Sequence, residues 1–103
     1  MMNPMPLTTM ALCQKGDELR TLAHIKYTEG HRLRSPASMG GTDEEIEQGP
    51  DALCVRALNM SPRQAAPLYD AASSIHRRVR ALYAEGNALY AQMRQCNEEA
   101  GVM

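Results

Sequence analysis

Apolar side chains return every seven residues through the C-terminal third of the chain. Leu68, Ile75, Leu82, Leu89 and Cys96 form one column, and Ala72, Val79, Gly86 and Met93 form a second, offset by four. Columns at that offset lie side by side on a helix, so the two make one continuous seam. Tyr69, His76, Tyr83 and Tyr90 stand beside them as a third column. Tyrosine buries its ring while its hydroxyl reaches water, which gives the seam an amphipathic rim. Ala81-Leu82-Tyr83-Ala84 is echoed by Ala88-Leu89-Tyr90-Ala91, a local repeat at the same period. Ser61 as N-cap, Pro62 at the first helical position and Gln64 in the capping-box place predict a long helix over 62–98. Pro67 falls early in it and predicts either a bend or the true start, because a proline ring clashes with the preceding turn. A strict seven-residue repeat implies packing at about +20° against another helix.

Upstream, Leu12, Leu19, Leu22, Ala23, Ile25 and Leu33 recur at helical spacing and predict a first helix over 9–34, capped by Thr8 or Thr9 and weakened by Gly16 and Gly30. Residues 1–8, with two prolines and three methionines, predict an extended arm that lies on a neighbouring subunit. Ser35-Pro36 and Gly40-Gly41 mark a hinge spanning 35–50. Within it, Thr42 and Glu45 have capping-box spacing and predict a short acidic turn. Residues 51–59 read as a short helix, although nine residues also suit a strand. The expected fold is all-α: a helical hairpin with one long heptad-patterned C-terminal helix, the part from 9 to 103 being a single small domain.

Composition narrows what that hairpin does. Leu, Ile, Val and Phe make up only sixteen of 103 residues, against fourteen Ala and eight Met. So few large apolar groups build a thin core, and domains of this size remove little surface from water on folding. The seam is therefore expected to be completed by a second copy or a larger protein as a bundle or coiled coil, the alternative being that the chain's own helices cover one another in a monomer. Interface residues on this reading are Leu68, Tyr69, Ile75, Val79, Leu82, Tyr83, Leu89, Tyr90 and Met93. The apolar runs are too short to cross a bilayer, and residues 1–7 lack the features of a secretory signal, so a cytoplasmic location is expected.

Candidate chemistry changes little. The three cysteines, Cys13, Cys54 and Cys96, include no C-x-x-C pair and read as reduced packing thiols. Asp17, His24 and His31, with Tyr27 beside them, are seven residues apart; two helical turns separate them by about 10 Å, too far for chelation from one helix. No P-loop, dinucleotide fingerprint, zinc-hydrolase or nucleophile-elbow motif is present, and no enzyme, cofactor or metal is expected. Arg77, Arg78, Arg80 and Arg94 form a basic set expected on the side away from the seam, available to nucleic acid or a second partner. The net charge of −1 argues for a solvated face that pairs with Glu44, Glu45 and Glu47. The expected function is a non-enzymatic helical protein–protein interaction module, homo-oligomeric or a subunit of a larger assembly. The alternatives are a small nucleic-acid-binding regulator and an inhibitor or adaptor that caps one larger protein.

Overall fold

The computed structural model describes residues 7–101, and every regular element among them is helical. Helix α1 spans Leu7–Arg34, a 3-10 turn Ala37–Met39, α2 Asp43–Glu47, α3 Pro50–Ala57 and α4 Pro62–Ala100. Leu7 and Thr8 are already helical, so the first helix starts ahead of either predicted cap; the rest of the expected arm, residues 1–6, lies outside the described residues. The segment at 51–59 is a helix, not a strand. Pro50 takes its first turn, where a missing N–H costs nothing, behind an extended Gly49.

Two compact units make up the described chain, one from 7–26 with 84–101 and one from Tyr27–Tyr83. In the first unit the long helices run antiparallel. Gly16 of α1 meets Asn97 and Met93 of α4, and Lys26 pairs with Glu85 at 3.3 Å. Leu19, Ala23 and Met93 are buried there, as are Gly16 and Gly86. In the second unit Gly30 lies against the Tyr83 ring, and the core is Leu53, Ala57, Ala65, Ala72, Val79 and Leu82 with Pro50. Four of the nine buried apolar residues are alanines, which is the thin core that the composition implies.

The two glycines of α1 do more than weaken it. Gly16, Ala23 and Gly30 form a heptad column that is buried throughout. A Cβ on Gly30 would stand 2.6 Å from a ring carbon of Tyr83, and one on Gly16 2.7 Å from Oδ1 of Asn97. Absence of a side chain is what lets α4 approach at both places. The propensity cost of glycine in a helix, about 1 kcal/mol each, is thereby exchanged for close packing.

The hinge is built as its residue types require. Pro36 carbonyl oxygen accepts from the N–H of Met39 at 3.2 Å and of Gly41 at 2.8 Å, and Gly40 adopts φ +70°, in the left-handed region open to glycine. Thr42 caps α2: its hydroxyl accepts from the Glu45 N–H at 3.1 Å, and its own N–H donates to the Glu45 carboxylate at 3.3 Å. The same carboxylate accepts two bonds from Arg32, from Nε at 3.2 Å and Nη2 at 3.3 Å. The Arg32 guanidinium, and after it the Thr42 N–H, hold the Glu45 carboxyl below its ordinary value. A lowered folded-state value contributes stability above the unfolded-state value, and that contribution fades as pH falls through the folded-state midpoint. In Arg32→Ala the Glu45 midpoint, followed by carboxyl-carbon NMR, should rise toward the ordinary carboxylate range; an unchanged midpoint would break the assignment. At the start of α4, Ser61 behaves as its position predicts, its hydroxyl accepting from the Gln64 N–H at 3.4 Å. The helix runs on through Pro67 without ending.

Candidate interaction surfaces

The predicted seam divides by depth. Val79, Leu82 and Met93 are buried within the chain itself, Leu82 completely. Val79 and Leu82 belong to the core of the second unit and Met93 to that of the first. Ala65, one heptad before Ala72, belongs to the same buried column. Leu68, Ile75, Tyr83, Leu89 and Cys96 are half-buried. Tyr69 and Tyr90, 43% and 39% exposed, remain at the surface as the rim.

Apolar surface also lies where the heptad pattern does not look. On α1, Leu22 and Ile25 are 47% and 46% exposed, one turn apart and off the face that carries Leu19 and Ala23. In the second unit, Val55, Leu58 and Met60 are exposed where α3 gives way to α4, Leu58 at 75%. The apolar spacing on α1 includes Leu22 and Ile25, but spacing alone counts outward positions with inward ones when the stripe is broad.

The three clustered arginines of the second unit divide between two clefts. Arg77 and Arg80 line a cleft of 600 Å³ together with Arg34, Ser73, His76, Val79 and Tyr83. Arg78 lines a different cleft of 430 Å³, beside Glu29, Arg32 and Glu45 and with Leu33, Pro36 and Ile75 as apolar wall. Successive helical residues are separated by about 100° around the axis, which is enough to turn Arg77 and Arg78 toward different clefts. Arg94 is exposed in the other unit. Of the acids expected to neutralise this set, Glu45 is engaged by Arg32 instead.

The polar stripe on α1 also separates. Asp17 lies 4.0 Å from Arg20, His24 is exposed, and His31 Nδ1 shares a 2.8 Å hydrogen bond with the Tyr83 hydroxyl. Tyr83 stacks obliquely on both His31 and Tyr27, with ring centroids 5.2 Å and 6.2 Å apart. No group of three or more His, Cys, Asp or Glu residues among the described ones is placed to hold a metal ion. Cys13, Cys54 and Cys96 are free thiols, each half-buried. No described helix is long and apolar enough to cross a membrane. Set against family models, curated proteins and solved structures, the chain matches none of them.

Proposed function

We propose that this chain is a non-enzymatic helical protein–protein interaction module that self-associates through apolar surface its own fold leaves uncovered. The observation that carries the reading is the pair Leu22 and Ile25, almost half exposed on one side of α1. Fully burying an exposed apolar side chain of this size gains about 1.5–3 kcal/mol, and with roughly half of that still available at each of the two, a second copy that covers both offsets part of the cost of association. Tyr90 of the same unit is a surface residue of the type that concentrates binding energy. The self-associating form also suits a subunit of a larger assembly, cytoplasmic and without cofactor.

Double substitution Leu22→Glu with Ile25→Glu tests this. Helicity should change little, because neither side chain is in the core, while the sedimenting mass should fall to that of one chain. A variant that keeps the wild-type mass would remove α1 from the interface. The nucleic-acid alternative loses ground because Arg78 lines a different cleft from Arg77 and Arg80, one that it shares with Glu29 and Glu45, and a phosphate backbone is tracked by a continuous basic stripe.

A further inference from the structure

We propose that Arg34, Arg77 and Arg80 form a cationic cleft that binds a compact polyphosphate group. The cleft belongs wholly to the second unit. Its α4 wall is the stripe Ser73, His76, Arg77, Arg80 and Tyr83, whose spacing keeps all five on one side of the helix. Arg34, at the end of α1, supplies the third guanidinium from across the cleft. At 600 Å³ the opening has the size of a small-ligand site.

Charge is what gives the cleft its ligand class. No carboxylate lines it. Three basic residues elsewhere lie by acids, Arg20 by Asp17, Lys26 by Glu85 and Arg32 by Glu45. Among the described residues, none of the three cleft arginines joins an ion pair, and Arg77 donates only to the neutral Ser74 hydroxyl at 3.1 Å. Three arginines lining one cleft without an acid repel one another, and an anion between them relieves that repulsion. Guanidinium presents a planar fork that matches phosphoryl oxygens two at a time, so three of them suit a ligand with more than one phosphoryl group better than a single carboxylate. Ser73 adds a hydroxyl, while the Tyr83 hydroxyl is held by His31 at 2.8 Å and fixes the end of the wall. An adjoining cleft shares Arg34 and His76 but includes Asp51. That carboxylate confines the anion to the side of Arg77 and Arg80. A compact ligand follows, because the basic surface ends there: Arg78 faces Glu29 and Glu45 in the other cleft.

The test is titration of the full chain with inorganic tripolyphosphate at low salt, followed by NMR of arginine side chains and histidine rings. Saturable one-to-one binding is expected, with shifts at Arg34, Arg77, Arg80 and His76. Affinity should fall at least about tenfold in Arg77→Ala and in Arg80→Ala, the loss of one charge-assisted contact, with helicity unchanged. Arg34→Lys should give a smaller loss, and Arg78→Ala and Arg94→Ala none. Vesicles containing a phosphoinositide bisphosphate tell a lipid headgroup from a free polyphosphate: competition with tripolyphosphate assigns the headgroup as the source, and no competition assigns the free anion. Failure to saturate, or equal losses from all five substitutions, would overturn the cleft. So would tighter binding of a single-stranded oligonucleotide that Arg78→Ala and Arg94→Ala also weaken, which would make the surface a nucleic-acid tract.

Discussion

Leu82→Asp is expected to unfold the chain. Leu82 is the largest side chain with no exposure at all, and the substitution places a carboxylate where no water or cation reaches it. An isolated buried charge costs several kcal/mol, and small domains have a total stability of about 5–15 kcal/mol, near the low end when the core is thin. Loss of the helical circular dichroism signal at 25 °C is the expected readout. Leu82→Ala should be milder, destabilising by about 2–5 kcal/mol through lost burial and the cavity left behind. Tyr69→Asp, one column over and exposed, should change stability by less than about 1 kcal/mol. Equal tolerance of Asp at 82 and at 69 would mean that the depth order of the seam is wrong.

The second large effect runs against helix propensity. Gly30→Ala gains about 1 kcal/mol of intrinsic helix preference, yet its methyl must enter space that the Tyr83 ring occupies. A ring is not the loose end of a flexible chain, and displacing it also breaks the hydrogen bond to His31. The clash should outweigh the gain, for a net loss of about 1–3 kcal/mol. Gly16→Ala meets the terminal amide of Asn97, which can rotate away, and should lie within about 1 kcal/mol of wild type. The sign of the Gly30 effect should reverse once the obstacle is gone: in a Tyr83→Ala background, Gly30→Ala should stabilise. A double-mutant cycle by denaturant unfolding measures that coupling directly, and additivity would show that Gly30 and Tyr83 do not touch.

How far these features were legible in the sequence depends on whether a local rule or a neighbour decides them. The long helix, its start at Ser61, the Thr42–Glu45 capping box and the turn around Gly40 follow from side chains acting on their own backbone, and all appear at the predicted positions. Heptad spacing placed Ala72, Val79, Leu82 and Met93 on one face, and that face is buried. What covers it is a tertiary fact. Seam width does not tell which positions lie deepest: Ala65, Ala72, Val79, Gly86 and Met93 are buried, while Leu68, Ile75, Leu89 and Cys96 beside them are half-buried. Gly16 and Gly30 misled for the same reason, since propensity registers a missing side chain as a weakness and is silent about the helix that takes its place. The division of Arg77 from Arg78 was available from the helical repeat alone. The arrival of Arg34 beside Arg77 and Arg80 was not, because the hinge that turns α1 back along α4 sets it.

Sedimentation equilibrium of the unmodified chain across a hundredfold range of concentration reads the central claim most directly. Exposed apolar surface at Leu22 and Ile25 predicts a mass that rises with concentration to at least two chains and returns to one in the doubly charged variant. A wild-type mass of one chain throughout that range would contradict the account.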